Sequence, residues 1–127
     1  PVVDWRTVLR YHGRLMRLPA PVVAVAQNAL ASNWGAAVLG SGEAIPLDRL
    51  DGVARARELR HPMLVLHSDD DGFVPSDASH ALAAARPDLV TIETFDVARH
   101  TKLWNYDETR WVTAISDWVR AQGLARE

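Results

Sequence analysis

A single α/β domain built on a parallel sheet is predicted by three features of this chain. An unbroken apolar block, Met63-Leu64-Val65-Leu66, runs through His67-Ser68 into a turn made of carboxylates, Asp69-Asp70-Asp71. A helical pattern follows and leads to a second strand-like run, Leu89 to Phe95. A single histidine, His100, lies just past the end of that run. Central strands of parallel sheets are covered on both faces and therefore read as continuous apolar blocks. A strand, helix, strand unit of this length implies a right-handed crossover between parallel neighbours. Loops at the carboxyl ends of such strands carry the chemistry of open α/β sheets, which singles out the acidic turn and His100.

Composition bounds the answer. With 127 residues, 48% of them hydrophobic, the chain can bury one core but not two. Fourteen basic and sixteen acidic residues leave a formal charge of -2, with no basic block, so nucleic acid and anionic lipid are not expected partners. The absence of cysteine excludes disulfides, thiolate metal sites and thiol catalysis. No stretch approaches the roughly 18 apolar residues of a membrane span. With no leader pattern either, a cytoplasmic location is expected. Nothing points to a cofactor or a bound metal, and none is expected.

Taken in order, Pro1-Val2-Val3-Asp4-Trp5 reads as the tail of a strand turning into a helix, so the chain is expected to begin inside a larger fold. Asp4 is a natural N-cap for a first helix in which Trp5, Val8, Leu9, His12, Leu15 and Met16 recur at helical spacing up to Leu18, before Pro19. Pro21 opens a second helix through Val22, Val25, Ala26 and Leu30 that frays near Gly35 and stops by Gly40-Ser41-Gly42. Glu43 to Leu50 has turn chemistry, and Val53 to Arg60 reads as a short charged helix. Beyond the acidic turn, Ser76 is the expected cap of a helix carrying Ala78, Ala81, Leu82 and Ala85 toward the sheet, closed by Pro87-Asp88. Asp107 caps a final helix with Trp111, Ile115 and Trp118 on one stripe. There is no internal repeat.

A carboxylate at one strand's end and a histidine at the next are the two supporting members of a nucleophile-His-acid triad. The acid accepts a hydrogen bond from one ring nitrogen and fixes the tautomer, leaving the other nitrogen to take a proton. Histidine suits the task because its unperturbed pKa, about 6.5, lies near neutrality.

The wording His67-Ser68-Asp69-Asp70-Asp71-Gly72-Phe73-Val74-Pro75 resembles the acid loop of α/β-hydrolases, commonly His-Gly-x-x-Asp-x-x-Val-Pro. Ala98-Arg99-His100, followed by Trp104-Asn105, resembles their histidine loop. The resemblance extends from Leu59 to Trp118 and is closest to a lipase- or esterase-like subgroup common in actinobacteria. It implies that Asp71 is the catalytic acid and His100 the base, with acid before histidine at a separation of 29 positions. It also implies an α/β-hydrolase segment over 61–127 with two or three parallel strands. Residues 1–60 would then be the end of a strand plus cap or lid helices.

One departure from the family outweighs the others, because no Gly-x-Ser-x-Gly elbow occurs here. Gly40-Ser41-Gly42 follows no apolar strand and does not match it. The expectation is therefore the C-terminal portion of a serine hydrolase of carboxylic esters, supplying Asp and His while the nucleophile lies outside the chain. Alone, the chain is expected to be catalytically silent. An Asp nucleophile would turn the same pair toward epoxide or haloalkane chemistry. The alternative from another class is a binding or assembly module that forms homo-oligomers or associates with a missing N-terminal half. A smaller departure is Ser68, where the family has Gly.

Plainer readings stand beside these. Three successive acids often form a solvated turn or a capping cluster, and Asp69 and Asp70 are assigned that supporting role. They lack a histidine ligand set for metal. His12 and His80 lie within helices, His61 precedes Pro62, and His67 ends the buried strand, where a packing or backbone-bonding role is expected. Trp104, Trp111 and Trp118 are expected in the core. Ser79 could be mistaken for a nucleophile, and Ser76 has the better claim as a cap.

Overall fold

A computed structural model describes residues 1–124 and has, in order, three helices, a strand, a helix, a second strand and two closing helices. Helices and a small parallel sheet place it in the α/β class in the coarse sense.

Helix α1 (Trp5–Leu15) begins where Asp4 satisfies the first free amides. Its Oδ1 accepts from the Arg6 amide at 2.8 Å and its Oδ2 from the Thr7 amide at 3.2 Å. The helix stops at Leu15 rather than Leu18. Arg17 takes a left-handed φ of 56° and the Leu18 amide reaches back to the Gly13 carbonyl, while Pro19 disfavours helical backbone at Leu18.

The second helix expected from the sequence is in fact two, α2 (Ala20–Leu30) and α3 (Asn33–Leu39), bent by 90° at the break. Ser32 is the cause. Its hydroxyl accepts from the Gly35 amide at 3.0 Å and donates to the Ala29 carbonyl at 2.9 Å, so it caps α3 while closing α2. Gly35 permits the bend because a Cβ there would overlap the Ala29 carbonyl oxygen. Neither helix, nor any other among the described residues, is long and apolar enough to cross a membrane alone.

The strand tail expected at Pro1–Trp5 is reduced to an isolated antiparallel bridge between Asp4 and Asp51. The helix expected over Val53–Arg60 is only a 3-10 turn, Ala56–Glu58, preceded by another at Leu47–Leu50. The Asp51 carboxylate accepts from the Ala54 amide and holds this stretch as turns.

Strand β1 (Met63–Ser68) runs two residues past the apolar block and pairs in parallel with β2 (Val90–Phe95), Met63 against Val90 through Ser68 against Phe95. Helix α4 (Asp77–Ala85) crosses between them. Val65 and Val90 pack with Leu82 of α4 and with Ala56 as the buried core, flanked by Val3, Leu59 and Ile92. Burying each such aliphatic side chain is worth about 1.5–3 kcal/mol. Ser76 precedes α4 but its side chain makes no capping bond. Its backbone is already helical, which turns the hydroxyl away from the amides it would cap.

Two helices close the chain, α5 (Leu103–Tyr106) and α6 (Glu108–Ala121). Asp107 caps α6 by accepting from the Arg110 amide at 2.9 Å, as the sequence predicts. The tryptophans are less buried than expected. Trp104 is 44% exposed and meets Trp111 edge-on at 5.0 Å between ring centres, and no residue of α6 is fully buried. Of the stripe on α6, Trp118 lines a cleft of about 630 Å³ beside Leu64 and Thr91, whereas Trp111 and Ile115 do not.

Candidate active site

The parallel pairing of β1 and β2 brings their carboxyl ends side by side, and the two loops leaving that edge carry Asp71 and His100. The His100 Nδ1 lies 2.9 Å from Asp71 Oδ2 and 3.0 Å from Oδ1. A carboxylate only accepts, so Nδ1 carries the proton and Nε2 is the free basic nitrogen. The His100 side chain is 38% exposed while that of Asp71 is 5% exposed. The acid is therefore shielded and the base accessible. Both line a cleft of about 310 Å³ with Leu66, Val74 and Leu103. Among the described residues no hydroxyl is hydrogen-bonded to His100 Nε2.

Burial by itself would raise the Asp71 pKa. Amide donation from Val74 and Phe73, each 2.9 Å from Oδ1, together with the His100 ring, outweighs it and leaves the carboxyl below its ordinary value of 3.8. Asp71 is thus a fixed negative charge at neutral pH, held in a turn by backbone donors that a protonated acid would use less well.

His67, whose Nε2 also lies 3.5 Å from Asp71 Oδ2, is held by closer contacts of another kind. Its Nε2 lies 3.0 Å from the Val74 carbonyl, which can only accept, so Nε2 holds the proton and Nδ1 accepts from the Ser79 hydroxyl at 2.7 Å. Burial pushes its pKa below 6.5, consistent with a neutral ring. Both residues are shut off from solvent, at 2% and 0% exposure. Ser79 and His67 therefore form a buried strut between β1, α4 and the acid turn, and no substrate can reach that hydroxyl.

The remaining acids divide between the surface and the loop contacts. Asp69 accepts from His80 of α4 at 3.0 Å on the surface, and this bond lowers its pKa. Asp70, itself solvent-exposed, reaches across the loops, its Oδ1 accepting from the Arg99 amide at 2.7 Å and from the Ser68 hydroxyl at 2.7 Å. Ser68 also accepts from the Ala98 amide at 3.0 Å. The hydroxyl that stands where the resemblance has Gly is therefore used. His12 of α1 donates from Nε2 to the Phe73 carbonyl at 2.8 Å, and the Phe73 ring sits 5.2 Å from that of His100. Sequence reasoning missed the Ser68, Asp70 and His12 contacts. The one available signal was the polar residue at Ser68 in a buried strand end. No group of three or more metal-ligating side chains converges among the described residues.

No family model, curated protein or solved structure matches the chain.

Proposed function

We propose that this chain supplies the general base and its orienting acid to a serine-hydrolase-type site acting on carboxylic esters, the nucleophile coming from outside these 127 residues. The observation that carries the reading is the His100 Nδ1 to Asp71 contact, with Nε2 left free in a cleft. In this scheme Nε2 takes the proton of the attacking hydroxyl. The resulting imidazolium is stabilised by ionised Asp71, and the same proton passes to the departing alcohol. A water, deprotonated by the same nitrogen, then attacks the acyl carbonyl, and the nucleophile's oxygen departs with that proton as the carboxylic acid is released. The family resemblance of the two loops supports the reaction class, and the acid-before-histidine order supports the roles.

The test uses a short-chain aryl ester. The 127-residue chain is expected to give no turnover above that of its His100→Ala variant. Extended by the segment encoded before Pro1, it is expected to hydrolyse the ester. There, His100→Ala lowers kcat by about 10³-fold or more and Asp71→Asn by about 10²- to 10⁴-fold. Turnover by the short chain alone that vanishes in His100→Ala would place a nucleophile within it and overturn the proposal, as would an extended chain indifferent to His100.

A second reading, an assembly module, is favoured by the two-stranded sheet, which leaves an edge of each strand unpaired among the described residues.

A further inference from the structure

His100 is flanked on both sides by residues in left-handed backbone, Arg99 at φ 55° and Thr101 at φ 56°. Side-chain-bearing residues avoid this region, and β-branched threonine most of all, so such backbone persists only when its surroundings hold it. The structure shows what holds Arg99. The Asp70 carboxylate takes its amide at 2.7 Å, and the Ser68 hydroxyl takes the preceding amide, that of Ala98, at 3.0 Å. Ser68 in turn donates to the same Asp70 oxygen at 2.7 Å, with the Phe95 carbonyl 3.1 Å away as its other acceptor. Ser68, Phe95 and Ala98 are buried, so one end of the brace is anchored on the strand ends, while Asp70 and Arg99 at its other end are exposed.

The consequence is geometric. Adjacent carboxylates of one turn grip the histidine loop at two points, Asp71 at the ring and Asp70 at the backbone one residue earlier. The backbone that carries the ring is thereby fixed one residue before His100, so the ring meets Asp71 from a set position. We infer that Asp70, backed by Ser68, is a positioning residue that holds His100 in register with Asp71 against the strain of its own loop. The inference rests on the proposed function for its catalytic meaning, but the brace itself is read without turnover.

The experiment is proton and amide-exchange NMR on the 127-residue chain. The parent chain is expected to show a downfield Nδ1–H signal from His100 and slow exchange at the Ala98 and Arg99 amides. Asp70→Ala is expected to weaken that signal and to speed exchange at Arg99 by about tenfold or more, leaving the amides of Val65 and Ile92 unchanged. Asp70→Asn, which keeps an oxygen acceptor, is expected to retain the signal. An Asp70→Ala variant with parental signal and exchange would overturn the inference. Should that variant unfold, Ser68→Ala carries the test, because it fills the same buried space without the hydroxyl. Faster Ala98 exchange with a weaker ring signal supports the brace, and neither change sinks it. A confirmed brace in a protein that hydrolyses no ester would remove the proposed function alone.

Discussion

A buried histidine and an exposed one contribute differently to stability, and this chain has both kinds. His80 pairs with Asp69 at the surface, where water and salt screen the interaction and little stability is expected from it. His67 is neutral between Ser79 and Val74, with burial holding its pKa below 6.5. An unfolded chain therefore binds more protons at this residue than the folded one between the two values. Stability contributed there is full above 6.5 and is lost as pH falls below it, each tenfold gap in proton affinity amounting to about 1.4 kcal/mol. Asp71, with its pKa below 3.8, has the same sign in a more acidic window. His67→Gln can still accept from Ser79 and donate to Val74 but cannot titrate. Urea midpoints measured from about pH 7.5 to 5.5 are expected to fall less in the variant than in the parent. Equal slopes would show that His67 is not the acid-sensitive group. At this scale Asp71 and His100 were legible because each sits just past a strand end that is itself marked in the chain. The contacts of Asp70 with Arg99, of Ser68 with Phe95 and Ala98, and of His12 with Phe73 were not, since each depends on two loops or elements approaching from far along the sequence.

The break between α2 and α3 shows what an element costs when backbone meets backbone. At Gly35 a side chain would press into the Ala29 carbonyl, which cannot move without unwinding the end of α2. Gly35→Ala is therefore expected to destabilise by about 1–3 kcal/mol, even though alanine is the better helix former. Gly72 provides the contrast, because a Cβ there meets nothing within 4 Å and its backbone is not left-handed. Gly72→Ala should change stability by no more than about 0.5 kcal/mol. Chemical denaturation of the two variants decides the matter, and equal effects would mean that the bend yields freely. Strand positions, the α4 crossover and the Asp107 cap were readable because apolar blocks, prolines and capping residues are local signals. The α2–α3 bend was not readable, because a valine- and alanine-rich run continues across Ser32 and only the folded contacts show that this serine ends one helix and starts another. The turns at Val53–Arg60 were misread for a related reason, since charged residues at helical spacing give way to the Asp51 side chain competing for the backbone.

Across the whole molecule, apolar surface and charge are unevenly shared. Residues 5–42 hold four arginines and no acid, and on α2 and α3 the side chains of Val25, Trp34 and Val38 are 65–71% exposed. The sheet has two strands and each keeps one edge without a partner among the described residues. Exposed apolar residues on this scale, with open strand edges and a net charge of only -2 to oppose contact, favour association with a second copy of the chain. Sedimentation equilibrium from about 5 to 200 µM is therefore expected to show a weight-average mass that rises with concentration. Val25→Glu with Trp34→Glu adds charge where the side chains already face solvent, so it should restore the monomer while leaving the unfolding midpoint within about 0.5 kcal/mol of the parent. A chain that stays monomeric at the highest concentration would show that this apolar surface does not drive assembly. An association that survives both substitutions would instead assign it to the strand edges, where backbone groups rather than side chains do the pairing.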